Sequence, residues 1–90
     1  MSEILVQRPK KDQLDKLNVD SWSTWECEVS DFDWEYSDEE VCYFLEGLVL
    51  VETEEERVEI HPGDLVTFPK GLQCRWHVLE PVRKVYKFNY

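Results

Sequence analysis

The sequence predicts a single all-β domain, a sandwich or barrel of about eight short strands preceded by one short helix. Two observations support this fold class. Apolar and polar residues alternate over most of the chain after Trp25, which is the pattern of half-buried strands. Turn residues interrupt the alternation at short, regular intervals, and no long helix is available to connect parallel strands.

The predicted elements follow in chain order. Leu14 and Leu17 lie three residues apart and predict a helix over residues 9–17, while residues 19–25 are predicted to be irregular or a first short strand. Alternation and apolar runs then predict the strands, which are separated by acidic turns or by turns containing Gly or Pro. Their predicted ranges are 25–29, 32–36, 41–45, 48–51, Arg57–Ile60, Leu65–Phe68, 73–79 and 82–88.

Length, composition and charge exclude several classes of function. The 90 residues form one domain, and folding of such a chain buries roughly 60–65% of its surface. Four each of Trp, Tyr and Phe predict a core or a pocket built largely of rings. A net charge of −10 argues against nucleic acid and anionic membranes as partners, because both select basic surfaces.

The cysteines and the start of the chain indicate a compartment. Cys27, Cys42 and Cys74 are odd in number and lack CxxC spacing, which favours reduced, buried thiols over a disulfide framework. Residues 1–6 are too short an apolar run for a signal peptide and lack a basic start. No window reaches the apolar length of a transmembrane helix. A cytoplasmic protein is therefore expected.

Two spaced sets of turn residues resemble known motifs. Gly63, Pro69 and Gly71 follow the pattern G-x5-P-x-G, and Glu40 and Gly47 follow the pattern E-x6-G. Glycine permits the positive φ of tight turns, and proline is tolerated at a strand end. Both sets resemble the motifs of the RmlC-like cupin superfamily, with the barrel spanning residues 22–90. The resemblance implies an antiparallel double-stranded β-helix, also called a jelly roll.

Within that superfamily the chain looks most like small single-domain cupins grouped with the (S)-ureidoglycine aminohydrolase cupin domain. Metal-binding cupins hold Mn, Fe, Ni or Zn with three His and one carboxylate inside the barrel mouth. The resemblance places Trp34, Tyr36 and Cys74 at the His positions and leaves Glu40 as the usual ligand; an alternative spacing would place Asp33 and Glu35 there. Two donors are too few for a firmly held ion, so neither a metal nor another cofactor is expected.

The ligand-binding residues implied by the resemblance also have plainer interpretations. Glu40 is either an inward carboxylate or part of a solvated acidic turn, and Cys74 is either reactive or a small buried side chain. The aromatic residues are either a platform for a ligand or core filling. The implied set is Trp34, Tyr36, Glu40, Cys74 and Trp76, and alternation predicts that Arg75 and His77 face outward. His61 is expected in an exposed turn.

Three functions remain open. The first is a small-molecule-binding cupin whose ligand is flat and polar, either cationic or amide-bearing. The second, implied by the resemblance, is a hydrolase of ureido- or amino-acid-like compounds. The named aminohydrolase is manganese-dependent and has two cupin domains; a metal-free variant could use Glu40 as general acid or base and Cys74 as nucleophile. The third is a structural or interaction module. An outward apolar surface containing Trp22, Trp25 or Val85 favours a homodimer, with a monomer as the alternative.

Overall fold

The computed structural model describes residues 4–89 of the chain. In this part of the chain there are seven strands, one α-helix and one short 3-10 helix. In chain order they are β1 (Leu5–Gln7), α1 (Lys11–Leu17), the 3-10 helix (Val19–Ser21), β2 (Ser23–Cys27), β3 (Ser30–Glu35), β4 (Glu39–Glu52), β5 (Arg57–Ile60), β6 (Leu65–Phe68) and β7 (Gln73–Asn89).

Two long strands, β4 and β7, organise the fold. They pair with each other along most of their length. The first half of β4 also pairs with β6 and its second half with β5, while the first half of β7 pairs with β3 and its second half with β2. One group of strands therefore has the order β1-β6-β4-β7-β2, and the other has the order β5-β4-β7-β3. The pairings are antiparallel, as the sequence predicts.

Both long strands bend where they pass from one group to the other. Gly47 and Pro81 meet at this bend: Gly47 has a φ of +100°, and a Cβ there would lie 2.4 Å from the Pro81 carbonyl oxygen. The register between the strands shifts between Phe44 and Val49. The strand breaks predicted around residues 46–47 and 80–81 are therefore wrong. A strand can continue through such a bend when glycine relieves the backbone crowding.

The hydrophobic core lies between the two groups of strands. Phe68 of β6 and Trp76 of β7 belong to different groups, yet their ring centroids are 5.9 Å apart. Phe44 of β4 also packs on Trp76, with a centroid distance of 6.2 Å. These contacts close the two groups against each other as a jelly roll. Other fully buried core residues are Cys42, Val49, Val51, Ile60, Val66 and Val78.

The N-terminal segment departs from the predicted elements. The helix begins at Lys11 rather than residue 9, because Lys10 has an extended backbone. Residues 19–25 divide into a 3-10 helix and the start of β2. Strand β1 was not predicted. It could not be recognised from the sequence, because its three residues (Leu-Val-Gln) are too few and do not alternate apolar and polar side chains.

Of the three residues expected to form an outward apolar surface, Trp25 points into the barrel and Val85 is not exposed. The Trp25 ring lies 5.8 Å from the Trp76 ring in the barrel interior. Val85 is buried. Trp22 is half-buried, and the Lys87 ammonium lies over its ring at 5.8 Å. The homodimer stays a prediction, supported by less exposed apolar surface than the sequence implied.

Charged side chains connect the strands on the outer face of β3 and β7. His77 lies between Asp31 and Glu52, with its Nδ1 2.8 Å from the Asp31 Oδ1 and its Nε2 3.0 Å from the Glu52 Oε1. Arg75 donates to Asp33 at 3.0 Å. These contacts confirm the predicted outward orientation of Arg75 and His77.

The stabilisation provided by His77 is expected to depend on pH. Its hydrogen bonds to Glu52 and Asp31 raise the pKa of His77. A raised folded-state pKa gives stabilisation that is complete below the unfolded value of about 6.5 and is lost as the pH rises through the folded value. We expect His77→Gln to lower the melting temperature more at about pH 6 than at about pH 9. Equal losses at both pH values would contradict this interpretation.

Two further sequence expectations concern the thiols and membrane association. The thiols of Cys27, Cys42 and Cys74 are free in the structure. Over residues 4–89, no helix has the length and apolar character needed to cross a membrane.

Candidate functional site

An aromatic cavity of about 270 Å³ lies inside the barrel. Seven aromatic side chains form most of its wall, and two charged side chains supply its polar part. The aromatic residues are Trp25, Phe32, Trp34, Tyr36, Trp76, Tyr86 and Phe88, and the charged residues are Glu40 and Lys84.

Strand alternation explains how these side chains meet. Residues two apart on a strand share a face, so Phe32 and Trp34 project together from β3. Lys84, Tyr86 and Phe88 project together in the same way from the second half of β7.

The outer part of the cavity is more exposed than the inner part. Trp34 is 52% exposed, whereas Lys84 is 5% exposed. The cavity thus has an open aromatic rim and a buried charged end.

The charged end consists of Glu40, Lys84 and Cys42. The Lys84 ammonium donates to the Glu40 Oε2 at 2.9 Å and to the Cys42 Sγ at 3.2 Å. The Cys42 thiol donates to the same Glu40 oxygen at 2.9 Å. Glu40 is 6% exposed, which excludes the solvated-turn interpretation of this residue. A buried charge requires a partner of this kind, because its desolvation would otherwise be very costly.

Aromatic rings surround the Lys84 ammonium on its other sides. The Nζ atom lies 4.8 Å from the ring centroid of Trp76 and 5.0 Å from that of Trp25. The rings of Phe44 and Tyr86 are 5.8 and 5.7 Å away. Ring faces carry partial negative charge, so these contacts stabilise the cation. Lys84 thus occupies an aromatic cage of the kind that could otherwise hold a cationic ligand.

Trp76 lies at the centre of the aromatic wall. Its ring packs against those of Trp25 and Phe32, both with centroid distances of 5.8 Å. Its buried Nε1–H makes no hydrogen bond of ordinary length and angle to any residue in the described range. Burial raises the pKa of Tyr36 and of Cys74. The neighbouring Trp76 indole lowers both pKa values, but by less than burial raises them. The wall therefore contains one buried donor without a conventional acceptor.

Tyr36 contributes a protonated phenol to the cavity. It stacks on Phe68 with a centroid distance of 4.7 Å and is almost fully buried. Burial raises the pKa of Tyr36 far above its ordinary value, and the neighbouring Cys42 and Glu40 raise it further. A neutral phenol donates a hydrogen bond readily but ligates a metal poorly.

Cys74 does not line the aromatic cavity. It lies beside Trp34 in a shallow depression on the neighbouring surface, and its thiol donates to the Trp34 carbonyl oxygen at 3.6 Å. Burial raises the pKa of the Cys74 thiol to about 11, with the Trp76 indole acting in the opposite direction. The reactive form of a cysteine is the thiolate. Cys74 is therefore protonated near neutral pH, and although it contacts Trp34 it does not face the aromatic cavity.

The described residues do not fit a metal centre. No group of three or more His, Cys, Asp or Glu side chains within residues 4–89 could hold a metal ion. Asp33, from the alternative spacing, lies on the outer face and pairs with Arg75. Glu35 is exposed and accepts a hydrogen bond from Gln73 at 3.4 Å. Among the described residues that line the cavity, Lys84 is the one that carries a positive charge.

The two histidines also lie away from the cavity. His61 is partly exposed, with its Nε2 3.0 Å from the Glu59 Oε1. Its backbone N–H donates to the buried Asp64 carboxylate at 2.8 Å, so the turn that carries it has a structural role. Neither His61 nor His77 can assist chemistry at Glu40.

Sequence reasoning missed five residues that line the cavity. Lys84 is the most important of them, and its signal is present in the sequence. Val82, Lys84, Tyr86 and Phe88 alternate along one strand face, so an inward lysine interrupts an apolar series. An interruption of that kind predicts a buried partner of opposite charge. The other missed residues are Trp25, Phe32, Tyr86 and Phe88.

Comparisons with known proteins identify the family. The sequence profile of the EutQ-like cupin domain matches residues 14–86. The chain belongs to the EutQ-like cupin family. The match covers most of the strands that build the aromatic cavity, and it confirms the cupin barrel predicted from the turn motifs.

Solved structures agree with the assignment of this EutQ-like cupin. A DUF861 family protein of Thermotoga maritima is 53% identical, with a TM-score of 0.95 over 97% of this chain and 100% of that chain. The Clostridium difficile EutQ protein is 20% identical, with a TM-score of 0.66 over 94% of this chain and 66% of that chain. An ethanolamine utilization protein Q of Salmonella typhimurium is 23% identical, with a TM-score of 0.62 over 92% of this chain and 66% of that chain.

The Clostridium difficile and Salmonella typhimurium structures are 20% and 23% identical to this chain, so they show similarity of fold alone. No curated protein matches the chain at a significant level. The comparisons therefore support a small EutQ-like cupin domain and do not extend to the (S)-ureidoglycine aminohydrolase group.

Proposed function

We propose that this EutQ-like cupin binds a small, flat, uncharged molecule that carries a carbonyl group, such as an amide or a ureido compound, without a metal ion. The observation that carries this proposal is the buried ion pair of Glu40 and Lys84 at the inner end of the aromatic cavity. A barrel interior filled completely by rings would have favoured a purely structural module, but a cavity of about 270 Å³ remains.

Hydrogen-bonding capacity next to the ion pair supports a carbonyl-bearing ligand. Among the described residues, Lys84 uses two of its three N–H donors, on Glu40 and Cys42. The two hydrogen bonds that the Glu40 carboxylate accepts from residues 4–89 both fall on Oε2, which leaves Oε1 as an acceptor. An amide offers the complementary pair, because its oxygen accepts and its nitrogen donates. The aromatic wall suits a planar group on the same molecule.

Charge balance determines which ligands are excluded. The expectation of a cationic ligand loses its basis, because the ring faces and the carboxylate that would attract a cation already hold Lys84. A second cation would be repelled by the ammonium, and an anion would be repelled by Glu40. A neutral polar ligand can enter without leaving a charge unpaired in a poorly solvated site.

The hydrolase alternative, similar to (S)-ureidoglycine aminohydrolase, receives less support from the geometry. It would use Glu40 as general acid or base and Cys74 as nucleophile. Cys74 does not line the aromatic cavity, its thiol is protonated near neutral pH, and the side chains of His61 and His77 pair with Glu59, Asp31 and Glu52 instead. Binding is accordingly the function that the arrangement of residues favours.

Three probes of matched size test the proposal. Benzamide, benzoate and benzylammonium share one ring and differ in charge, and their binding can be followed through the indole N–H signals in two-dimensional NMR spectra. We expect benzamide to shift the signals of Trp25, Trp34 and Trp76, and the two charged probes to bind at least about tenfold more weakly. Trp22 does not line the cavity and serves as an internal reference.

A matched double variant tests whether the Glu40–Lys84 ion pair causes the preference for an uncharged probe. Exchanging the pair together, as Glu40→Gln with Lys84→Met, removes both charges and keeps similar side-chain lengths. This variant should lose the discrimination against the charged probes. Preferential binding of benzylammonium to the wild-type protein, or no response to any probe, would contradict the proposed function.

A further inference from the structure

We propose that Lys84 also captures small aldehydes and ketones covalently, as a protonated imine within the aromatic cavity. This inference rests on the proposed function, since the carbonyl compound must first enter the cavity. Lys84 is the lysine that lines the cavity, and its Nζ lies at the buried end. A primary amine is the side chain that forms imines with carbonyl compounds.

The surroundings of Lys84 also suit the protonated imine that capture would form. An imine formed from a lysine carries the same single positive charge when it is protonated. It can keep the partner carboxylate of Glu40, which is 2.9 Å from Nζ. It can also keep the ring faces of Trp25 and Trp76, at 5.0 and 4.8 Å. Capture therefore leaves the net charge of the site unchanged and keeps its carboxylate and ring partners, while the single N–H of the protonated imine gives up the hydrogen bond to Cys42.

Glu40 is placed to move the proton that the reaction requires. Its Oε2 accepts one proton from Nζ, and the neutral amine then attacks the carbonyl carbon, forming the C–N bond. Proton transfer from the nitrogen to the former carbonyl oxygen gives a carbinolamine. Glu40 returns its proton to the hydroxyl group, the C–O bond breaks and water leaves. The balance is one ammonium and one aldehyde giving one protonated imine and one water, without an oxidant or reductant.

The neighbouring thiol does not compete for the carbonyl compound. Cys42 is fully buried behind the ion pair and does not line the cavity. Burial raises the pKa of the Cys42 thiol far above its ordinary value, against the opposing effect of Lys84. It therefore stays protonated, and its role is to accept one N–H of Lys84 and to donate to Glu40.

Reductive trapping with benzaldehyde tests the proposal directly. Sodium cyanoborohydride converts an imine to a stable secondary amine, which intact mass and peptide mapping locate on the chain. In the wild-type protein near neutral pH, we expect Lys84 to be modified at least about tenfold faster than the exposed Lys70, because the cavity holds the aldehyde beside the amine. Lys84→Arg, which keeps the charge but cannot form the imine, should remove the fast phase.

The outcomes separate this inference from the proposed function. The comparison of Lys84 with Lys70 is made within one wild-type sample, so it does not depend on the folding of a variant. Modification of Lys70 with none at Lys84, in protein that still binds benzamide, would overturn covalent capture alone. Failure of both benzamide binding and trapping would overturn both proposals.

Discussion

Replacing Glu40 by Gln is expected to lower the free energy of unfolding by about 3–5 kcal/mol. The substitution keeps the shape of the side chain and removes its charge. Lys84, which is 5% exposed, would then remain as a buried cation without a counterion. Chemical denaturation followed by fluorescence gives the free energy of unfolding by linear extrapolation.

Three controls define the origin of this effect. Lys84→Met should also be strongly destabilising, whereas the double variant Glu40→Leu with Lys84→Met should cost less than either single change, because neither charge is left unpaired. Asp33→Asn breaks an exposed pair with Arg75 and should change the free energy of unfolding by less than about 1 kcal/mol. Additive single and double changes would contradict coupling between Glu40 and Lys84.

Replacing Gly47 by Ala is expected to destabilise the barrel by at least about 2–4 kcal/mol, for two reasons that add. The φ of +100° is unfavourable for a residue with a Cβ. The added Cβ would also lie 2.4 Å from the Pro81 carbonyl oxygen and 2.6 Å from the Val82 Cα. Both contacts are with backbone, so relief requires the bend in β4 and β7 to open.

Gly63 provides the matched comparison for this second prediction. It has a φ of +93°, but a Cβ there would meet no atom within 4 Å. Gly63→Ala therefore carries only the backbone cost, about 1–2 kcal/mol. The difference between the two variants measures the close approach at the bend. Equal destabilisation by Gly47→Ala and Gly63→Ala would show that this approach is unimportant.

The sequence predicts strand positions better than strand continuity. Alternation correctly located Arg57–Ile60 and Leu65–Phe68, because each is a short strand bounded by turns. It divided β4 and β7, because Gly47 and Pro81 have the same local signature in a bend as in a turn. Only the pairing of the two long strands with each other, a long-range property, distinguishes these cases.

The sequence predicted part of the candidate site. The turn motifs aligned Trp34, Tyr36, Glu40 and Trp76 with a barrel interior, and all four line the aromatic cavity. The resemblance also placed Cys74 at a metal-ligand position in the barrel, but Cys74 does not line the aromatic cavity. Lys84 was missed because those motifs concern metal ligands, and the second half of β7 contributes none. Its alternation with Tyr86 was the available signal.

Elemental analysis of the dialysed protein tests most directly the claim that the cation in this barrel is Lys84 and not a metal ion. The cupin resemblance places Trp34, Tyr36 and Cys74 at the positions of metal-binding histidines, which leaves Glu40 as the only usual ligand among these four described residues. We expect the protein to hold far less than one equivalent of any first-row transition metal, because so few donors bind an ion weakly. Close to one equivalent of Mn, Fe, Ni or Zn, lost in the Glu40→Ala variant, would contradict the account.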